Sequence, residues 1–164
     1  MRPRKIILEL VVRDPRGRIL ARRRKRAGYL KNILAFLRAQ IIGLTETLVD
    51  IGGTSRSIAL GYAATTPTIR VGSGTTPQAP GDYKLVTELG TVAASAGPVV
   101  VVGSNSQFTI SGSVAIAAGG TVQEVGYSFY YQSWTFLLLR DVVPPVVVPA
   151  GGTCTVAYTL IFTA

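Results

Sequence analysis

Hydrophobic and polar residues alternate most clearly near the C-terminus. There Cys154, Val156, Tyr158, Leu160 and Phe162 fall on one face of an extended segment, and Thr153, Thr155, Ala157 and Thr159 on the other. The alternation predicts a strand with one face in a core. Phe108, Ile110, Val114 and Ile116 keep a similar phase through Gly112, and Val125, Tyr127, Phe129 and Tyr131 repeat it before a turn at Gln132-Ser133. Trp134 to Arg140 then reads as the second arm of a hairpin, and Pro149-Ala150-Gly151-Gly152 as the turn that joins Val146-Val147-Val148 to the last strand. From Leu44 onward short apolar runs are punctuated by Gly, Pro, Ser and Thr, which predicts seven or eight strands, enough for two packed sheets.

The N-terminal part reads differently. Lys5 to Arg13 is strand-like, Asp14-Pro15-Arg16-Gly17 has turn chemistry, and Arg18 to Arg22 is a second extended run, so a hairpin is expected. Between Tyr29 and Ile42 the residues Leu30, Ile33, Leu34, Leu37 and Ile41 recur at helical spacing with Lys31 and Arg38 off the stripe, and Gly43 is a stop. This predicts one amphipathic helix with its apolar stripe packed on the sheets. The expected fold is therefore mainly β: an antiparallel β-sandwich or jelly-roll-like barrel over residues 44–164. It is preceded over residues 1–43 by the basic hairpin and the helix, packed on the core or used as a docking arm.

The length of 164 residues suits one core, and 18 glycines with only 15% charged residues suit buried strands and tight turns rather than disorder. The net charge of +9 is local. Thirteen Arg or Lys lie between Met1 and Ile42 against Glu9 and Asp14, whereas the remainder has four basic and six acidic residues. The densest run, Arg22, Arg23, Arg24, Lys25 and Arg26, is the candidate contact site, for nucleic acid, for an acidic neighbouring subunit, or as plain surface charge. No zinc pattern, helix-turn-helix pair or aromatic RNA-binding signature accompanies it. The apolar runs are too short for a helical membrane span, and the basic start followed by an interrupted apolar stretch does not read as an export signal.

Little points to catalysis. There is no histidine, so triads of the Ser-His-Asp and Cys-His kinds are excluded. Glu9, Asp14, Glu46, Asp50, Asp82, Glu88, Glu124 and Asp141 are scattered without a metal-binding or calcium-loop pattern, and no catalytic, cofactor or metal site is expected. The glycine-rich Val71-Gly72-Ser73-Gly74-Thr75-Thr76-Pro77 lacks the Lys-Ser or Lys-Thr of a phosphate loop and runs into prolines, so it reads as a loop between strands. Cys154, alone and inside an alternating strand, reads as a small buried hydrophobe. Tyr127, Tyr130, Tyr131 and Trp134 read as hairpin packing, with Tyr130 facing out.

Ile69-Arg70-Val71-Gly72-Ser73-Gly74-Thr75-Thr76-Pro77 followed by Asp82-Tyr83-Lys84-Leu85 resembles a segment of virion-associated proteins of head-tailed phages and related viruses. Glu124-Val125-Gly126-Tyr127, Leu139-Arg140-Asp141-Val142 and Val148-Pro149-Ala150-Gly151-Gly152-Thr153 are similar to the C-terminal β region of such proteins and of some tail-fibre modules. The resemblance runs from about Ile69 to Ala164 and consists of turn-and-strand phrases without catalytic signatures. It implies a β-rich structural subunit of a particle, neck, tail or fibre, made in the host cytoplasm and located in the virion. The expected function is thus assembly: a homo-oligomer whose basic segment docks on other virion proteins or on packaged nucleic acid. A nucleic-acid-binding protein on a β scaffold and a surface-filament subunit are the alternatives.

Overall fold

The computed structural model describes residues 3–28, 30–59, 66–131 and 133–163. Among the described residues twelve strands and one helix follow one another as β1 (Pro3–Arg13), β2 (Ile19–Arg26), α1 (Lys31–Ile42), β3 (Glu46–Val49), β4 (Ser55–Ile58), β5 (Thr66–Gly72), β6 (Glu88–Ala93), β7 (Ser95–Ala96), β8 (Val100–Val102), β9 (Asn105–Ile116), β10 (Gly120–Tyr131), β11 (Trp134–Val148) and β12 (Gly152–Thr163). All pairings are antiparallel. One sheet has six strands in the order β2-β1-β12-β9-β7, with β8 also on β9; a second has the order β11-β10-β5-β6; β3 and β4 form a separate hairpin.

The two larger sheets share one core, so the protein is mainly β in a manner consistent with a sandwich. The first sheet contributes Leu8, Leu10, Val12, Ile110, Val114, Val156 and Tyr158, and the second Ile69, Val71, Val125, Phe129, Phe136 and Leu138. The alternation predicted for the last strand holds, with Cys154, Val156 and Tyr158 fully buried. Two glycines allow close approach between the sheets. A Cβ on Gly112 of β9 would lie 2.9 Å from Val92 Cγ1, and one on Gly90 of β6 would lie 2.8 Å from Val114 Cγ1. Each strand thus carries a notch for a valine of the other sheet.

The boundary expected after residue 43 does not divide the core. β1 lies between β2 and β12, in register from Lys5 opposite Ile161 to Arg13 opposite Thr153. The helix starts at Lys31 rather than at Tyr29, which lies outside the described residues, and ends at Gly43, whose φ of 74° closes the last turn through a hydrogen bond to Ala39 O. The stripe expected to be buried is corrected in part. Leu30 and Ile33 are buried, but Leu34 is 57% and Ile41 79% exposed. The helix is rolled so that Asn32, Phe36 and Ala39, spaced by four and three residues, face inward. The reason is specific: Asn32 Nδ2 donates to Val49 O (2.8 Å) and Leu137 O (3.0 Å), its Oδ1 accepts from Val49 N (3.1 Å), and Phe36 packs on Phe129 with ring centroids 4.8 Å apart. Three hydrogen bonds from one buried side chain to the backbone of β3 and β11 outweigh two leucine-sized side chains left in water.

Candidate functional site

β2 follows a turn built on one carboxylate. Asp14 Oδ1 accepts from Arg16 N and Arg18 N, each at 2.9 Å, and Oδ2 accepts from Arg18 Nε at 2.7 Å, while Gly17 takes a φ of 81°. The Arg18 hydrogen bond holds the Asp14 carboxyl below the usual carboxylate range. The strand then runs further than expected. Instead of ending at Arg22 it continues through Arg26, because β1 supplies partners as far as Ile7. The five candidate contact residues are therefore all part of one strand.

Strand geometry divides them between two faces. Arg22, Arg24 and Arg26 stand opposite Val11, Glu9 and Ile7; Arg23 and Lys25 stand opposite the buried Leu10 and Leu8. On the first face Arg22 is paired with Glu9. On the second, Lys25 Nζ lies 3.2 Å from Asp141 Oδ1 and donates to Val142 O at 3.0 Å, which ties the edge of the first sheet to β11 at the edge of the second. Arg23 donates to Arg22 O, and neither Arg23 nor Arg24 has a carboxylate partner among the described residues. A groove of about 300 Å³ opens between the two edges, lined by Arg23, Arg24 and Lys25 and by the accessible Val142 and Pro144, with the buried Leu8, Leu10 and Val143 behind them.

Asp141 is fully buried beneath this groove. Its Oδ1 accepts from Gly28 N (3.1 Å) as well as from Lys25, and burial raises its carboxyl even though Lys25 pulls the other way. Asp141 Oδ2 and the Tyr158 hydroxyl are buried without a partner at hydrogen-bonding geometry, yet lie near enough for Asp141 to add to the rise that burial imposes on the Tyr158 phenol.

A second polar centre lies inside the protein, and sequence reasoning did not single it out. Glu124 on β10 and Arg140 on β11 are both essentially without solvent exposure. Glu124 accepts from three backbone amides, those of Gly74 (3.0 Å), Val86 (3.1 Å) and Thr87 (2.8 Å). Arg140 Nε and Nη2 reach Glu124 Oε2 at 3.0 Å, Nη1 reaches Asp82 Oδ2 at 2.8 Å, and Nη2 donates to Thr76 O at 3.0 Å. A Cβ on Gly74 would lie 2.5 Å from Glu124 Oε1, and one on Gly72 would lie 2.7 Å from it, so the loop can close on the carboxylate only with glycine at both positions. The loop reading of this glycine-rich segment stands. One of its amides, that of Gly74, joins those of Val86 and Thr87 on a carboxylate, but that carboxylate is the chain's own Glu124. The signal available was an Arg-Asp pair inside Phe136-Leu137-Leu138-Leu139-Arg140-Asp141-Val142-Val143, because charges in so apolar a strand need buried partners.

The remaining expected features take their places. Tyr130 faces out at 41% exposure, whereas Tyr131 is buried and packs on Trp134 with centroids 6.3 Å apart. The Arg56 guanidinium covers the other part of that indole, 4.6 Å from the ring centroid. No group of three or more His, Cys, Asp or Glu residues comes together at metal-binding distance among the described residues. No helix of the described residues is long and apolar enough to cross a membrane. Cys154 is fully buried, and burial pushes its thiol up to about 12. A thiol reagent at mildly alkaline pH should therefore label Cys154 only after denaturation. Rapid labelling of the native protein would mean that β12 opens readily.

Comparison with protein-family models, with curated proteins and with solved structures gives no match to this chain.

Proposed function

We propose that this chain is a structural and assembly subunit of a virus particle, a capsid accessory, neck, tail or fibre component. In this reading it self-associates through its β core and docks on other virion proteins through β2. The observation that carries the proposal is that the six-stranded sheet ends in two unlike edges. At one end β2 presents five consecutive cations. At the other, β8 pairs with β9 alone among the described residues and exposes Val100, Val101 and Val102, with Val101 75% exposed and Val99, just before the strand, 69% exposed. Not one Asp, Glu, Lys or Arg occurs between Glu88 and Glu124, so β7, β8 and β9 carry no charge at all. Monomeric proteins blunt such edges with charge, proline or a cover. An uncharged valine strand with an open edge suits a second copy of itself, which meets no repulsion there. The virion setting rests on the resemblance of the segments around Gly72, Asp82, Glu124 and Arg140 to phage structural proteins, and those segments are the parts gathered around the buried Glu124–Arg140 pair.

Within the β class, the order of connections suits a sandwich better than a jelly roll. β5 and β6, β8 and β9, and β10 and β11 are each consecutive and paired within one sheet, whereas jelly-roll strands cross between sheets at most connections. A nucleic-acid-binding role is the second reading. It is favoured by Arg22, Arg24 and Arg26 lying along one face of β2 at a spacing of roughly 7 Å, which suits successive phosphates of an extended strand.

Light scattering with negative-stain imaging tests the proposal. Wild-type protein without nucleic acid should form rings, shells or filaments. Val101→Lys, at a site too exposed to disturb the core, should weaken the association by about tenfold or more. A chain that stays monomeric and gains mass only with nucleic acid would overturn the assembly reading.

A further inference from the structure

We infer that the groove between β2 and β11 binds an extended acidic segment of another protein, added as a strand along β2 with an apolar side chain seated against Val142 and Pro144. The inference deepens the docking half of the proposed function and rests on it. Three observations carry it.

The first is the backbone. Among the described residues β2 has a single strand neighbour; it spans eight residues and contains neither Pro nor Gly, so its outer row of amides and carbonyls can accept a strand. β11, across the groove, cannot do the same, because Pro144 and Pro145 remove two consecutive donors where its register with β10 breaks between Val142 and Val146. The second is charge. Arg23 and Arg24 have no carboxylate partner among the described residues, and a second β2 would set Arg and Lys against Arg and Lys, which excludes another copy of this chain as the occupant. An acidic strand supplies the missing partners on both faces.

The third observation separates peptide from nucleic acid. The groove is apolar at its floor and holds about 300 Å³, room for an aliphatic or aromatic side chain, and no aromatic residue lines it to stack a base. Dense charge on an edge strand often serves only to prevent aggregation. A guard of that kind does not require an apolar groove beneath the guarded edge.

The test uses the full chain and fluorescently labelled peptides as long as β2, one alternating aspartate with leucine and valine, one of aspartate alone, with oligothymidylate as a third probe. Binding is followed by anisotropy at low and physiological salt, and β2 amides by hydrogen exchange. The alternating peptide should bind about tenfold or more tighter than polyaspartate, protect the β2 amides, and lose about tenfold or more with Arg23→Gln/Arg24→Gln, whose melting point should match the wild type. Equal binding of the two peptides, or protection of β2 by oligothymidylate alone, would overturn the inference. Light scattering on the same samples separates the two claims. Assembly without peptide binding refutes the groove alone, and a monomer that binds the alternating peptide refutes self-assembly alone.

Discussion

Replacing Arg140 with alanine should cost about 3–5 kcal/mol of stability, because it leaves Glu124 buried and charged without its guanidinium. Three amides still hold the carboxylate, so the damage should concentrate in what the guanidinium alone connects: Thr76 through its carbonyl and Asp82 through its carboxylate. Urea unfolding gives the global loss. Hydrogen exchange at Gly74, Val86 and Thr87, or proteolysis between β5 and β6, gives the local one. Arg140→Lys keeps the charge, but a single ammonium cannot serve Glu124, Asp82 and Thr76 together, so it should fall between wild type and alanine. Combining Arg140→Met with Glu124→Gln should cost less than the two changes added, since each removes the burden that the other creates. An alanine variant within about 0.5 kcal/mol of wild type would mean that the strands hold this loop without the ion network.

Much of the strand content was legible because period-two alternation is a local signal. β12, β9 and β10 have their buried faces where Val156, Ile110 and Val125 placed them. What alternation could not reveal was burial on both faces. In β10 the residues that alternate with Val125, Tyr127 and Phe129 should be solvent-facing, yet Glu124, Gly126 and Ser128 are buried as well. Their cover comes from segments remote in sequence. The loop from Ser73 to Thr87 closes over Glu124, and Arg70 Nε together with Thr68 Oγ1 satisfies the Ser128 hydroxyl. A buried ion pair is a property of two strands and a loop at once, and no single window of sequence contains it. The same holds for β2. Its arginines read as a cluster beyond the strand because none is apolar, but they extend it because β1 offers a hydrogen-bonded neighbour as far as Ile7. Tertiary pairing overrides local pattern there.

Phe129→Ala should be the other large loss, about 3–5 kcal/mol, and should release α1 more than it loosens the sheets. Phe129 is 2% exposed, stacks on Phe136 with centroids 5.3 Å apart and meets Phe36 of the helix at 4.8 Å. This aromatic contact seats the helix together with the Asn32 hydrogen bonds, the buried Ile33 and Ala39 and the Arg38–Glu46 ion pair. The partner ring, Phe36, also borders an open apolar pocket of about 200 Å³ with Ile33, Leu37, Phe108, Ile110 and Leu160. Truncating Phe129 would leave empty apolar space between Phe36 and Phe136, and the cost of such truncations rises with the cavity that remains. Hydrogen exchange in α1 should accelerate well before the β12 amides respond, separating helix release from global unfolding. Leu34→Ala is the discriminating control. The spacing of apolar residues assigns Leu34 to the buried stripe and would make its loss comparable to that of a core leucine, whereas at 57% exposure it should change stability by no more than about 0.5 kcal/mol. Large losses at both positions would restore the stripe read from the sequence and mean that the helix is rolled toward Leu34. A large loss at Phe129 alone fixes the helix on Asn32 and Phe36.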